Sequence, residues 1–248
     1  MKRSVKIVAV SDLHGSPLRP LIVNDAIYKK ADILVIAGDL QGGGSIDEMR
    51  WRYENEFLPA VNQLHAAGIE TVLIPGNHDF WLQRMNCNTK WKRPGLHFLV
   101  DREDTVCGLR FYGIPWCPFI NGRWVYEVGY SKQMRSLFRI PEGIDVLVSH
   151  SPPLGIDGEN FDVSTQNRKK YWKHFGSKEL REEILEKKPR LVLCGHIHTG
   201  NHSKFKVGDS IVANVSLLDE VYMRAFGPAT ISISDKTIKL TKGRNLYA

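Results

Sequence analysis

The sequence lacks the features that would place the protein in a membrane or an oxidising compartment. No apolar run in its 248 residues approaches the roughly 20 residues that cross a bilayer, and the first residues lead into a strand-like run without a signal-peptide core. The four cysteines form no C-x-x-C pair and are too few to replace a hydrophobic core. We therefore expect reduced thiols in a soluble, cytoplasmic protein without a membrane partner.

Linkers, internal repeats and low-complexity tracts are also missing. Hydrophobic residues make up 42% of the chain and charged residues 25%, which is typical of globular proteins. We therefore expect a single domain over residues 1–248. The net charge of +7 favours anionic ligands such as phosphate esters, although a solvated surface explains it equally well. The oligomeric state stays open.

Two common motifs for ester and phosphate chemistry are absent as well. No G-x-S-x-G elbow surrounds Ser11, Ser149 or Ser151, which argues against a serine nucleophile. The glycine run at residues 42–44 lacks the G-K-[ST] ending of a phosphate-binding Walker A loop, and we interpret it as a flexible rim.

What the sequence does contain is a strand-like apolar run that ends abruptly in polar residues, and this pattern occurs five times. The runs cover residues 5–10, 33–37, 71–75, 146–148 and 191–194. Their Val, Ile and Leu content predicts strands that are buried on both faces and covered by helices.

Helices and further strands are predicted between and after these runs. Helices are predicted at residues 20–30, 46–67 and 177–188. Pro59 should kink or divide the second helix, and Ser177 can cap the third. Alternating apolar residues predict antiparallel strands within residues 204–216 and 229–242, with a turn at residues 234–236.

The ends of the five runs carry the residues that point to chemistry. They supply carboxylates, imidazoles and one amide: Asp12, His14, Asp39, Asn77, His78, Asp79, His150, His196 and His198. Ligand sites of open α/β sheets form beyond the carboxyl ends of the strands. This mixture of oxygen and nitrogen donors suits Mn, Fe, Co or Zn, and it is too large for one tetrahedral site. We therefore expect two divalent metal ions that share a carboxylate.

Each of these residues also has an ordinary structural explanation. An Asp after a strand is often only a helix cap, and a lone His is usually a satisfied polar group. The occurrence of all five segments, each behind a strand-like run, outweighs that explanation.

The same residues resemble the calcineurin-like metallophosphoesterases, whose signature runs Asp-x-His, Gly-Asp, Gly-Asn-His-Asp/Glu, His and Gly-His-x-His. Every element is present, and the resemblance covers residues 5–242. It implies a four-layer αββα sandwich of the α/β class and hydrolysis of phosphate esters by a hydroxide that two metals activate. The pattern of runs alone predicts only a helix-covered sheet with an antiparallel C-terminal part.

The resemblance also implies a role for each residue. The first metal would be bound by Asp12, His14 and His198. The second would be bound by Asn77, His150 and His196. Asp39 would bridge the two metals. His78 would contact the substrate phosphate or the leaving oxygen, and Asp79 would orient the His78 imidazole.

Residues 111–124, 149–155 and 214–216 resemble a subgroup of this family, the metallophosphoesterase-domain-containing proteins, which hydrolyse phosphodiesters including cyclic nucleotides. The resemblance implies a small phosphodiester substrate. Within the first segment, Trp116 and Arg123 would stack a nucleobase and hold a phosphate. A loop that packs its rings against the sheet is an equally good explanation of this segment.

Three other functions stay open. A phosphomonoesterase, including a protein phosphatase, would use the same metals. A nuclease is suggested by the short basic runs at residues 90–93 and 168–170, although such runs are more often solvated surface. A non-catalytic binding module is disfavoured because all the signature histidines are retained. The other histidines are predicted to be structural: His65, His97, His174 and His202.

Overall fold

Two six-stranded sheets dominate the computed structural model, which describes residues 4–16, 22–86, 93–129, 135–137, 139–155, 165–168, 171–198, 204–241 and 243. The strands of the first sheet are β1 (Val5–Val10), β2 (Ile33–Ala37), β3 (Glu70–Ile74), β4 (Leu96–Phe98), β15 (Ala229–Ile233) and β16 (Ile238–Thr241). Their order is β16-β15-β1-β2-β3-β4, and β1 to β4 run parallel.

The strands of the second sheet are β5 (Arg102–Val106), β6 (Leu109–Ile114), β9 (Val146–Ser149), β12 (Leu191–Cys194), β13 (Lys204–Val207) and β14 (Ser210–Asn214). Their order is β13-β14-β12-β9-β6-β5, with parallel pairing from β14 to β6. Both sheets also contain antiparallel pairs, which are β1 with β15 and β15 with β16 in the first sheet and β13 with β14 and β5 with β6 in the second. Two small pairs complete the strands: β7 (Cys117–Pro118) with β8 (Glu127–Val128), and β10 (Thr165–Arg168) with β11 (Tyr171–His174).

The helices lie outside the two sheets. They are α1 (Asn24–Tyr28), α2 (Ile46–Arg52), α3 (Leu58–Ala66), α4 (Phe80–Asn86) and α5 (Lys178–Lys187). As predicted, the long second helix is divided: a π-helical turn (Tyr53–Phe57) separates α2 from α3, and Pro59 lies in the first turn of α3. Ser177 caps α5 as predicted, since its hydroxyl accepts the Leu180 N–H at 3.0 Å.

Three buried clusters separate four layers. On β1, Ile7 and Ala9 point into the cluster between the sheets, whereas Val8 and Val10 point toward the helices. On β12, Leu193 likewise faces the first sheet while Val192 belongs to a third cluster on the side of α5. The four-layer αββα sandwich that the resemblance implied is therefore confirmed.

The structure corrects the interpretation of the aromatic segment 111–124 as a loop. Its first residues belong to β6, a strand of the second sheet, and the side chains of Phe111 and Tyr112 are buried in two different clusters. The predicted antiparallel C-terminal strands are confirmed as the pairs β13 with β14 and β15 with β16. No helix among the described residues is long and apolar enough to cross a membrane.

Two histidines outside the signature make structural contacts. His97 joins the two sheets, since its ring nitrogens lie 3.0 Å from Glu70 and 2.8 Å from Asp104. His65 lies 3.2 Å from the same Glu70. Cys107 forms no disulfide with another cysteine of the described part of the chain. The described residues do not include positions 20 and 21 of the first predicted helix, Cys87, residues 90–92, residues 169–170, His202 or the side chain of His174.

Candidate metal centre

The predicted site residues meet at one edge of the sandwich. Backbone hydrogen bonds link the sheets there, because Ser11 N–H donates to Val215 O at 2.9 Å and Leu217 N–H donates to Ser11 O at 3.0 Å. The loop after β1 is joined to the loop after β2, since His14 N–H donates to Asp39 O at 3.0 Å. Loops that follow strands of both sheets therefore share one site.

Four site residues adopt a left-handed backbone conformation. The φ angles are 55° at Asp12, 43° at His14, 51° at Asp39 and 66° at His196. Residues other than glycine seldom adopt such angles, and where they do the strain is concentrated at functional sites. These turns aim the side chains into the space between the strand ends.

The glycines of the signature make room for this packing. A Cβ at Gly76 would overlap the carboxylate of Asp39 and lie 2.6 Å from Cε1 of His150. A Cβ at Gly195 would overlap the Oδ2 atom of Asp12. The glycines are therefore needed because the neighbouring site residues approach their backbone closely.

The carboxylates and imidazoles form three overlapping groups, and within each group the potential ligand atoms lie within 4.8 Å of one another. The groups are Asp12 with His14 and His198, Asp12 with Asp39 and His150, and His14 with Asp39 and His78. The first is the set that the resemblance implied for the first metal. Asp12, His14 and Asp39 each belong to two groups, and both carboxylates are nearly inaccessible to solvent.

The Nδ1 hydrogen bond of His150 leaves the lone pair of its Nε2 atom directed at oxygen atoms, which are acceptors too. Its Nδ1 lies 3.0 Å from Ala37 O, which can only accept, so Nδ1 carries the proton in the neutral ring. Nε2 then faces Asn77 Oδ1 at 3.0 Å and an Asp39 oxygen at 3.4 Å. Acceptors converge here on a position that a cation would satisfy.

His198 has the same pattern of contacts as His150, with one ring nitrogen at a backbone carbonyl and the other near a carboxylate. Its Nδ1 lies 2.8 Å from Asp219 O, so its Nε2 is the free nitrogen, 3.2 Å from His14 Nε2 and 3.5 Å from Asp12 Oδ1. The buried Asp and His groups therefore fit a centre for two metal ions, and the donor set contains only oxygen and nitrogen.

A proton competes with a metal for the Nε2 atoms of His150 and His198. Burial lowers the pKa of both His150 and His198, but Asp39 beside the former and Asp12 beside the latter raise both pKa values to about 9. Raising the pH from about 6 to 9 removes protons that a metal must otherwise displace. We expect the apparent affinity for Mn²⁺ to rise with pH, by up to about tenfold per pH unit for each displaced proton.

Titration calorimetry at several pH values, in buffers with different ionisation enthalpies, measures both the affinity and the number of protons released. An affinity that does not depend on pH, with no proton release, would contradict the protonation states inferred for the two rings.

His196 is placed differently from the other imidazoles. Its ring lies 5.1 Å from the ring of His150, centroid to centroid, but it belongs to none of the three groups. Its backbone N–H donates to both Asp12 oxygens at 3.1 and 3.0 Å. Its role as a metal ligand stays a prediction.

Residues 214–216, which the sequence analysis gave only as a match to the subgroup, support the site directly. The Ser216 hydroxyl donates a short hydrogen bond to Asp12, and Asn214 Nδ2 donates to Ile197 O at 2.9 Å. Asn214 therefore holds the loop that carries His196 and His198, while Ser216 fixes the Asp12 carboxylate.

The contacts of Asp79 are made with backbone groups of two loops. Its carboxylate accepts backbone N–H groups of Gly76 and Gln41, each at 2.7 Å, and of Leu40 at 3.3 Å. These bonds tie the loop after β3 to the loop after β2. Among the described contacts the Asp79 side chain makes no hydrogen bond to the His78 imidazole. Asp79 therefore supports the backbone around Asp39. Its role in orienting the His78 imidazole stays a prediction.

His78 lines a cavity of about 590 Å³. Its ring packs edge-on against His14, with centroids 4.5 Å apart, and lies against the Trp124 ring at 4.2 Å and 34°. Its backbone N–H donates to Asp39 Oδ1 at 2.8 Å. Burial lowers the pKa of His78, so the ring is neutral near pH 7.

The two predicted substrate-binding residues are not brought to this cavity. Trp116 donates its indole N–H to Asp101 at 2.7 Å and packs against Tyr126, while Arg123 is exposed. Neither is among the described residues that line the cavity. Instead, the aromatic walls are formed by Trp124, Phe80 and Tyr222.

The three aromatic wall residues were predictable from the sequence to different degrees. Trp124 directly follows Arg123 in the aromatic segment, so the sequence pointed to the segment although not to this ring. The substrate-binding roles of Trp116 and Arg123 stay predictions. Phe80 directly follows the Gly-Asn-His-Asp element, at the start of a helix that the sequence did not predict. No local signal in the sequence pointed to Tyr222.

The chain is similar in sequence to a known protein family and to several known proteins. A family model described as calcineurin-like phosphoesterase matches residues 5–200. The chain is 31% identical to human metallophosphoesterase domain-containing protein 1, over 92% of this chain and 71% of that protein. It is 24% identical to the lariat debranching enzyme of Schizosaccharomyces pombe, over 69% of this chain and 43% of that protein.

Solved structures share the fold. The protein TT1561 of Thermus thermophilus superimposes with a TM-score of 0.62 at 16% identity, covering 98% of this chain and 100% of that chain. A dimetal phosphatase from Danio rerio superimposes with a TM-score of 0.58 at 10% identity, covering 97% of this chain and 96% of that chain.

Proposed function

Because this chain belongs to the calcineurin-like phosphoesterase family, we propose that it hydrolyses small phosphodiesters in the cavity beside Asp39 and His78. Metal-dependent hydrolysis of phosphate esters is the general activity, and the diester preference is our addition to it. The organic groups of the substrate would be nucleotide-like or aryl. We also propose that residues 1–248 act as one catalytic domain, because a shared core joins the two sheets that carry the site.

The observation that carries this proposal is the convergence of carboxylate oxygens and imidazole nitrogens at the strand ends, within 4.8 Å of one another in each group. We assign Asp12, His14 and His198 to one metal. We assign Asn77, His150 and His196 to the other. Asp39 would be shared, because its Oδ2 atom lies 3.6 Å from His14 Nε2 of the first set and 3.4 Å from His150 Nε2 of the second. Two bound ions supply Lewis acidity for the phosphoryl group and lower the pKa of the attacking water.

The protein groups around the metals position the substrate. His78 is neutral near pH 7 and can therefore donate one ring N–H to a phosphoryl or leaving oxygen. The Trp124 ring holds the His78 plane from one side, and the Asp39 carboxylate anchors its backbone N–H. The side chain is thus oriented before the substrate binds, which reduces the reorganisation needed in the transition state.

The walls of the cavity support a diester with an organic group. Six of the lining residues have apolar or aromatic side chains: Ile46, Met49, Phe80, Trp124, Leu218 and Tyr222. A phosphodiester carries a single negative charge and two organic groups, so one group can occupy apolar walls while the phosphate faces the metals. A monoester dianion would gain less from such walls.

A direct test compares a chromogenic aryl phosphodiester with the matching monoester. Chelator-stripped protein should be inactive, and Mn, Fe, Co, Zn and Mg are then restored separately. We expect turnover with a transition metal. The kcat/KM for the diester should be at least about tenfold above that for the monoester, and a tenfold ratio corresponds to about 1.4 kcal/mol of differential binding.

A preference for the monoester would replace this proposal with a phosphatase. Inactivity of correctly folded, metal-loaded protein toward both esters would favour a binding module.

A further inference from the structure

The turn at residues 219–223 lies beyond the part of the chain that the family model matches, yet it forms one wall of the cavity. Asp219 organises it, because its Oδ1 accepts the N–H groups of Val221 at 3.0 Å and Met223 at 2.8 Å. The Tyr222 N–H donates to Asp219 O at 3.0 Å. The turn is therefore a defined element and not merely a loop near the site.

The same carbonyl oxygen couples the turn to the metal centre. Asp219 O also accepts the Nδ1–H of His198 at 2.8 Å. One oxygen therefore fixes both the ring orientation of a candidate metal ligand and the backbone of Tyr222. Tyr222 has a left-handed backbone with φ of 61°, and this conformation directs its side chain back over the site.

The Tyr222 ring faces the metal centre but is not buried by it. It lies edge-on to His14 with centroids 4.8 Å apart and to His198 at 5.4 Å. Tyr222 is 55% exposed as a residue, although a tyrosine ring is largely apolar. Its open surface borders the same cavity as Trp124, whose ring covers His78.

We propose that Tyr222, held by the Asp219 turn, is a specificity-determining residue that contacts the organic group of a phosphodiester and favours planar groups. This inference rests on the proposed function. The phosphate would face the metals and His78, and a planar group would lie along the open surface of Tyr222. The geometry supports the assignment because the ring is presented to the cavity by a hydrogen-bonded turn.

The test compares two chromogenic diesters with the same leaving group, 4-nitrophenyl phenyl phosphate and 4-nitrophenyl methyl phosphate. The ratio of their kcat/KM values measures the preference for a second planar group, and the reactivity of the leaving group is nearly the same in both. We expect Tyr222→Ala to lower this ratio about fivefold, the scale of one aromatic contact. Tyr222→Phe keeps the ring and should keep the ratio.

Two further variants separate positioning from contact. Asp219→Ala removes the acceptor for two backbone N–H groups and should lower the ratio, whereas Asp219→Asn retains an oxygen acceptor and should restore it. Tyr28→Ala is a matched control, because Tyr28 is an exposed tyrosine outside the cavity lining. It should leave the ratio unchanged.

The outcomes distinguish this inference from the proposed function. If the wild-type protein hydrolyses both diesters and Tyr222→Ala leaves their ratio unchanged, the role of Tyr222 is overturned while the phosphodiesterase survives. If the wild-type protein hydrolyses neither diester with any metal, both proposals are overturned. Metal content, measured in each variant by mass spectrometry, shows whether a lower ratio arises from lost metal, which would also overturn the role in specificity.

Discussion

Replacing Asp39 by Asn is expected to reduce kcat/KM by at least about 10³ and to weaken metal binding. Asp39 belongs to two of the three ligand groups, and its oxygen lies 3.6 Å from His14 Nε2 and 3.4 Å from His150 Nε2. Asn has nearly the same shape but no charge. Removing one partner of a buried charge pair costs roughly 3–5 kcal/mol, which is about 10² to 10⁴ in an equilibrium constant before any effect on the reaction itself.

Metal content by mass spectrometry and kcat/KM on the aryl diester together measure this effect. Asp235→Asn is a suitable control, because Asp235 is an exposed carboxylate in the β15–β16 turn. It should change neither quantity. Full metal content and full turnover in Asp39→Asn would rule out the shared-ligand role.

The second large effect is expected for His78→Ala, which should lower kcat by about 10² to 10⁴ while metal content stays close to that of the wild type. His78 lines the cavity and packs on Trp124. In contrast, the Nε2 atoms of three other imidazoles lie 3.4–3.6 Å from a carboxylate oxygen: those of His14, His150 and His198. A side chain that acts on the substrate can be removed without emptying the metal sites.

Metal content has to be measured together with kcat, because His78 also lies in one ligand group with His14 and Asp39. Loss of one ion in His78→Ala would reassign the residue as a metal ligand. His65→Ala provides the control, since His65 is an exposed imidazole that contacts Glu70 away from the site. Unchanged kcat in His78→Ala would remove the residue from the reaction altogether.

The strands that carry the site could be predicted because their signal is local. Val, Ile and Leu runs predict buried strands from neighbouring residues alone, and all five runs are strands in the structure. The division of the long helix near Pro59 was predictable for the same reason, since proline acts on its own turn. β6 was missed as a strand because its aromatic, proline-flanked sequence is equally typical of a loop.

The partners of individual side chains were less predictable. The family resemblance implied that Asp79 orients its neighbour His78, but its carboxylate turns to the N–H groups of Gln41 and Leu40, nearly 40 residues away. Trp116 was chosen as a substrate-binding residue because it is aromatic, but Asp101 holds its indole N–H outside the cavity. Residue type does not determine such contacts, because several partners compete for each side chain.

The sequence by itself determined which side chains stand at the strand ends and that their oxygen and nitrogen donors suit two metal ions. This information is local, since a strand and the polar residue that ends it are neighbours in the chain. Only the tertiary structure decided that Tyr222 and Trp124 form the cavity walls and that the Asp219 carbonyl fixes His198. Those contacts join segments far apart in sequence, and their direction is set by the backbone angles of the turns that carry them.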